Sequence, residues 1–561
     1  MKSKKIIALA AASAFAAALL SGCTTGSEKN NQGGDSTSAE AAGDVSAADD
    51  TDMEVTTVAA ADKPQFEPLK VIYDEIKTEF NNDLDLSDYP LTASSVPADY
   101  EAVFEAEAGE FTGNVAAYDS PDASGGAEVN GLNSEGDSLT FVTDIEYDGF
   151  YDLNFVSKTS NGRRENYLFI DDEQVGTVMC LNYDGFGDSM MKNVYLTKGS
   201  HRITVKPYWG YVDYDCLKLT PNTTINSDAY TVTAPLSNPN ADENTRRLYK
   251  FLCDIYGKYS LTGQYADDGR TSTEYTRIAK ETGSHFAVLG MDMMGYSSGS
   301  VAYGSESNTV EFAYDWYNNG GGIVTLCWHW HSPVDYQVND EQNPWYSSFY
   351  KEGSKLELDK IMNGEDEKGY ELLMQDIDNI AYQLERLRDA GVPVLWRPLH
   401  EASGGWFWWG DCQAESYIKL WNVMYDKMTN EHNLTNLIWV WNAQDAAWYP
   451  GDETVDIVAT DIYAGNHVDS CYSGSFAYLA EIPSVPKLVA LSENGCVMDP
   501  DKVFTGNSRW LYWGTWSDPF TLSKGVLNDE YTTMETLNKA YNSDRTLTLE
   551  ELPDLKNYPL D

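Results

Sequence analysis

Two apolar runs of this chain end alike. Val392-Pro-Val-Leu-Trp396 leads into Arg397-Pro-Leu-His400-Glu401, and Pro486-Lys-Leu-Val-Ala-Leu491 leads into Ser492-Glu493-Asn-Gly495. A short continuous apolar run reads as a strand buried on both faces, and a parallel sheet of such strands collects their polar ends at one rim. Between 245 and 545 further runs alternate with amphipathic stretches, which predicts strands near 259–265, 286–291, 323–328, 392–399, 437–441, 455–462, 487–491 and 509–515. Eight strands in β/α alternation imply an α/β architecture, a (β/α)8 TIM barrel, with both glutamates at its catalytic rim. Among the connections, 370–390 spaces Leu373, Ile377, Ile380, Leu384 and Leu387 along one helical face and stops at Gly391.

The texture ahead of the barrel differs. Lys2, Lys4 and Lys5 precede an apolar segment from Ile6 to Leu20, and Leu20-Ser21-Gly22-Cys23 resembles a bacterial lipobox; residues 1–23 therefore read as a lipoprotein signal, with Cys23 the lipidated residue. Residues 24–99 read as a disordered tether and linker, because Gly, Ser, Thr, Ala and acids dominate up to 62. Within them 68–80 has the spacing of a short amphipathic helix that docks on a neighbour. From 100 to 221 seven short alternating strands, near 104–107, 138–142, 149–155, 167–170, 175–178, 192–196 and 201–205, predict a jelly-roll-like β-sandwich. Pro235 and Pro239 lie in a polar linker at 222–244.

Charge narrows the partners. Lys and Arg total 38 against 88 Asp and Glu, a formal charge of -50, which repels phosphate backbones and excludes nucleic acid. The 16 Trp and 37 Tyr, many in Gly- or Asn-rich stretches, suit pyranose rings with an apolar face and a polar rim. Two strand-end glutamates beside aromatic rings are what glycosidic hydrolysis needs: one acid protonates the leaving oxygen while the other attacks or activates water.

Through Leu261-Thr-Gly-Gln264, Gly321-Gly-Ile-Val-Thr-Leu-Cys-Trp328-His329, Trp396-Arg-Pro-Leu-His400-Glu401, Trp406-Phe-Trp-Trp-Gly410, Asp461-Ile-Tyr463 and Ser492-Glu493-Asn-Gly495, the barrel resembles glycoside hydrolase family 26, best known for β-mannanases. The resemblance implies Glu401 as acid/base at the end of the fourth strand and Glu493 as nucleophile at the end of the seventh. It also implies that His400 and Tyr463 touch the nucleophile or the adjoining sugar, that Arg397 supports the carboxylates by charge, and that His329, Trp345, Trp406 and Trp516 line the cleft. His329-Trp-His331 puts two imidazoles on one side of an extended run, a zinc-like spacing, but no third ligand is near in sequence.

The sandwich resembles carbohydrate-binding module family 35 through Glu105-Ala-Glu107, Gly136-Asp-Ser, Gly149-Phe-Tyr, Leu196-Thr-Lys-Gly199-Ser-His-Arg-Ile and Asp213-Tyr-Asp215-Cys-Leu. That family implies a structural calcium on Glu105, Glu107 and Asp215; solvated edge charges are the alternative. Trp209, with Tyr208 and Tyr211 around Gly210, reads as a stacking platform or as core. Of the 8 cysteines, Cys180 and Cys216 allow a bridge, with free buried thiols equally open.

The expectation is a secreted, surface-anchored, monomeric endo-β-1,4-mannanase with a retaining mechanism and no catalytic cofactor. It would touch the membrane only through its lipid and bind β-mannan as its polysaccharide partner. Mixed-linkage β-glucan or β-1,3-xylan as substrate, and a non-catalytic glycan-binding lipoprotein, are the alternatives.

Overall fold

The computed structural model describes residues 64–560 apart from 65, 70, 71, 74, 161 and 184. The signal and the tether up to 63 lie outside the described residues. Among those that are described, no helix is long and apolar enough to cross a membrane.

The expected barrel is present and closed. Its strands, all parallel, are Gly263–Tyr265, Val288–Asp292, Ile323–Cys327, Val394–Arg397, Leu437–Trp441, Ile457–Ile462, Leu488–Asn494 and Trp513–Thr515. The first predicted run is split: Ser260–Leu261 pairs with Thr546–Leu547, and only Gly263–Tyr265 joins the barrel. The predicted helix runs Glu367–Asp389, capped by the Asp366 side chain on Gly369 N–H, and buries Leu373, Ile377, Ile380, Leu384 and Leu387. The barrel core extends past 545, taking in Leu549, Leu552, Leu555 and Tyr558.

Most indoles do not face solvent, contrary to the expectation from composition. Eleven of the 16 tryptophans are buried in the barrel (Trp316, Trp328, Trp330, Trp396, Trp408, Trp409, Trp421, Trp439, Trp441, Trp510 and Trp513). The tryptophan excess is thus mainly core filling, and only five indoles remain outside the core to meet a ligand.

The sandwich holds more strands than its sequence showed. They are β1 (Ala102–Glu105), β2 (Glu110–Thr112), β3 (Ala116–Asp119), β4 (Ala127–Asn130), β5 (Ser138–Ile145), β6 (Gly149–Lys158), β7 (Arg164–Ile170), β8 (Glu173–Cys180), β9 (Gly187–Leu196), β10 (Gly199–Trp209) and β11 (Asp213–Pro221). One sheet has the order β3-β4-β11-β6-β9 with β1 also on β11, and the other β2-β5-β10-β7-β8. Strands β2 to β4 are only three or four residues long and lack apolar alternation, so pairing rather than pattern defines them. Cys180 and Cys216 are separate, buried free thiols, which settles the bridge against pairing.

Residues assigned to linkers are ordered straps. No helix forms over 75–80; the backbone here instead bonds to the barrel, Lys77 N–H donating to Asn319 O at 2.8 Å and Asn81 N–H to Leu552 O at 3.2 Å. Farther on, Arg509 donates to the carbonyls of Tyr89 (2.9 Å) and Pro90 (2.7 Å). Ile225, Leu236 and Ala241, from the second linker, join the barrel core. The sandwich contacts the barrel directly as well, through Lys192–Glu481 (2.5 Å) and Lys502–Glu173 (2.9 Å).

Candidate active site

Beyond the fourth barrel strand the chain turns sharply. Leu399 and Glu401 both adopt left-handed backbone, φ 53°, on either side of His400, a conformation uncommon for side chains of this size and typical of functional turns. The bond from Glu401 N–H to Asn442 O (2.7 Å) holds it. Three indoles then staple the following loop: Trp406 Nε1 donates to Glu401 Oε2 (3.0 Å), Trp408 Nε1 to Trp330 O (2.7 Å) and Trp409 Nε1 to His400 O (2.8 Å). Gly404 leaves room for the first of them, since a Cβ there would lie 2.0 Å from the Trp406 ring.

Glu493 reaches the same rim from the seventh strand. One carboxylate oxygen each from Glu401, Asp461 and Glu493 lie within 4.8 Å of one another, while Glu401 and Glu493 are 7% and 4% exposed. Retaining glycosidases hold their two carboxyls about 5 to 5.5 Å apart. Arg397, fully buried, supplies the positive charge among these acids. It donates to Asp461 Oδ2 at 3.0 Å, to Glu493 Oε1 and to the Tyr265 hydroxyl at 2.8 Å. Tyr463 donates to the second oxygen of Glu493 at 2.6 Å. Both oxygens of the expected nucleophile are therefore fixed.

The electrostatics separate the two roles. Burial, then the charges of Asp461 and Glu493, push the Glu401 carboxyl well above its ordinary range against Arg397 and the Trp406 bond, as an acid that must carry a proton to the leaving oxygen requires. Burial, opposed by Arg397 and reinforced by Glu493, pushes Asp461 up to about 7. Burial and then the Glu493 charge raise the Tyr463 phenol, which stays a donor.

Of the remaining expected residues, His400 and His329 meet, Nε2 to Nε2 at 3.2 Å. Trp516 packs on Tyr265 at 4.6 Å and edges His329 at 6.1 Å. Trp345 is placed farther out, stacked on Tyr303 at 5.0 Å and edging His331 at 5.8 Å. The two imidazoles of His329-Trp-His331 have separate partners: His329 faces Asp292, whereas His331 faces Ser300 and the Tyr346 carbonyl. Sequence reasoning missed Asp292 and Tyr265, and gave Asp461 no role; the signal was that each closes or nearly closes a barrel strand.

In the sandwich, pairing of Glu105 with Cys216 across β1 and β11 brings Glu105 beside Asp215. Ser124 Oγ bridges them, at 2.7 Å to Glu105 Oε2 and 2.9 Å to Asp215 Oδ1. Glu107 Oε2 is buried without a hydrogen-bond partner, and its other oxygen abuts Gly125, where a Cβ would lie 1.9 Å from it. Trp209 is 47% exposed, with Tyr208 and Tyr211 also exposed, which removes the core reading. Arg164 covers one of its faces at 5.5 Å.

Comparison with known proteins agrees with this geometry. The family model for Glycosyl hydrolase family 26 matches residues 237–551, and that for Carbohydrate binding module (family 35) matches 102–222. A mannan endo-1,4-beta-mannosidase of Thermothelomyces thermophilus is 34% identical over 81% of this chain and 91% of its own length. The crystal structure of a Podospora anserina GH26-CBM35 beta-(1,4)-mannanase is 33% identical, with a TM-score of 0.56 over 82% of this chain and all of that one. A ruminal GH26 endo-beta-1,4-mannanase structure is 27% identical, with a TM-score of 0.57 over 81% of this chain and 99% of that one. This chain belongs to glycosyl hydrolase family 26, its barrel preceded by a family 35 carbohydrate-binding module.

Proposed function

We propose that this protein is an endo-β-1,4-mannanase that cuts internal bonds of mannan, glucomannan or galactomannan with retention of configuration. The observation that carries the reading is the Glu401–Glu493 pair, buried, converging and unequal in surroundings. Glu493 attacks the anomeric carbon as Glu401 gives its proton to the departing oxygen; the glycosidic C–O bond breaks and a glycosyl ester forms. Water then attacks the same carbon while Glu401 takes its proton back, and Glu493 leaves as a carboxylate. Arg397 and Tyr463 hold the attacking oxygens in place, so little reorganisation accompanies the step.

The sandwich keeps polysaccharide near the cleft, with Trp209 as a stacking surface. Glu105, Glu107 and Asp215 would hold its calcium: carboxylates from the first and last strands meet at Ser124, and the buried Glu107 oxygen without a hydrogen-bond partner suits a hard-oxygen ligand. The protein acts as a monomer outside the cell, tethered to the membrane by lipid on Cys23, as the lipobox-like Leu20-Ser21-Gly22-Cys23 supports.

A reducing-sugar assay on mannan, glucomannan, galactomannan, lichenan and β-1,3-xylan, with product lengths resolved, tests the reading. Short manno-oligosaccharides of several lengths are expected. Preferred cleavage of lichenan or β-1,3-xylan, or mannose as the sole product, would overturn it.

A further inference from the structure

A line of polar contacts leaves the catalytic centre away from the two glutamates. His400 immediately precedes Glu401; its Nε2 lies 3.2 Å from His329 Nε2, and His329 Nδ1 lies 2.6 Å from Asp292 Oδ2. The other Asp292 oxygen accepts two backbone N–H groups, His329 N at 3.0 Å and Met294 N at 2.9 Å. Rings wall the pair in, Phe407 at 5.2 Å from His400 and 5.4 Å from His329, with Phe349 at 5.1 Å from His329.

The protons of this chain can be counted from either end. Asp292 accepts only, so His329 Nδ1 carries the hydrogen, and in a neutral ring Nε2 is then a bare lone pair that His400 Nε2–H must fill. From the other end, His400 Nδ1 is buried with no hydrogen-bond partner. A stranded N–H costs more than a stranded lone pair, so the His400 proton belongs on Nε2. The two counts rest on different atoms and agree.

We propose that Asp292 is a positioning residue of the catalytic centre: it sets one direction for the whole Asp292–His329–His400 proton chain and thereby fixes the ring beside the acid/base Glu401. The proposal rests on the glycosidase reading for its link to turnover. Asp292→Asn inverts the chain. The two backbone donors claim the amide oxygen, the NH2 group then faces His329 Nδ1, and His329 must carry its proton on Nε2. His400 Nε2–H would meet another N–H, so its proton moves to Nδ1 and is stranded.

The test uses the full chain with 15N-histidine. Only 7 histidines are present, and His329→Gln and His400→Gln assign the two signals by their loss. Long-range proton–nitrogen correlations should show Nδ1–H on His329 and Nε2–H on His400 in the parent, and both reversed in Asp292→Asn. Turnover on mannohexaose should fall about 100-fold in that variant, with KM and melting temperature little changed, the pattern expected when a carboxylate-set imidazole is put in the wrong tautomer. Asp292→Ala, which has no amide to invert the chain, should melt lower yet retain more turnover. Unchanged tautomers in Asp292→Asn, turnover within threefold of the parent, or losses that simply follow melting temperature through both variants would overturn the proposal. The tautomers are read without substrate, so a parent inactive on every glycan counts against the glycosidase reading, while the proton chain stands or falls on its spectra.

Discussion

Trp406 donates its indole N–H to Glu401 Oε2 at 3.0 Å, although it is itself 36% exposed. A residue expected only to stack against sugar is therefore also a direct partner of the acid/base. Its bond stabilises the charged form of Glu401 and opposes the upward push of burial and of the neighbouring acids.

Trp406→Phe keeps an aromatic face and removes that bond. The Glu401 carboxyl should titrate still higher, moving the alkaline limb of the kcat/KM profile upward, while kcat/KM at the optimum drops roughly tenfold for loss of one charge-assisted bond. A pH–rate series checks it. An alkaline limb that stays put would show that the indole acts by stacking alone.

Asp461 makes stability depend on pH in a defined sense. Its folded carboxyl lies at about 7, above its ordinary 3.8, so the fold favours the protonated form. That contribution is complete below about 3.8 and is lost as pH rises through about 7. The barrel's resistance to urea should decline across this window, and Asp461→Asn should flatten the decline. Parallel curves for the two proteins would contradict it.

Arg397 stands between two buried acids with no solvent to replace it. Arg397→Met should destabilise the barrel by about 3–5 kcal/mol, as expected when one partner of a buried pair is removed, and should abolish measurable turnover. Denaturant titration with intact binding by the sandwich separates this from general misfolding.

The sandwich offers two independent measurements. Chelation should lower its melting temperature and added Ca²⁺ restore it, with the response much reduced in Glu107→Gln, because metal that binds only the folded state stabilises by mass action. Trp209→Ala should weaken retention on insoluble mannan and spare cleavage of mannohexaose; equal loss on both would make the ring a folding element.

The parts of this architecture visible in sequence are those encoded locally. Six of the eight barrel strands are built on short apolar runs and the long helix carries its own apolar stripe, so these were legible, whereas Gly263–Tyr265 and Trp513–Thr515 were placed only within longer runs. Glu401 and Glu493 showed because each closes such a run. Strands β2 to β4 did not show, since they are only three or four residues long and their side chains do not alternate. Nor did the tryptophans show that most of them are core, because burial depends on neighbours brought from distant helices. Asp292 and Tyr265 carried only the weak signal of ending a barrel strand: an acid or phenol there gains a role only when the facing imidazole or guanidinium is placed. The 75–99 strap is held by backbone hydrogen bonds and by scattered apolar side chains such as Leu84, Leu86 and Tyr89, which form no periodic pattern.

The central claim, that Glu493 attacks sugar carbon while Glu401 supplies the proton, is tested most directly by trapping the intermediate. The protein is incubated with a 2-deoxy-2-fluoro-β-mannoside bearing a good leaving group, digested and sequenced by mass spectrometry. The account predicts a single fluoroglycosyl ester on Glu493, formed in the parent and absent from Glu493→Gln. An ester on any other residue, or full turnover of natural mannan by Glu493→Gln, would contradict it.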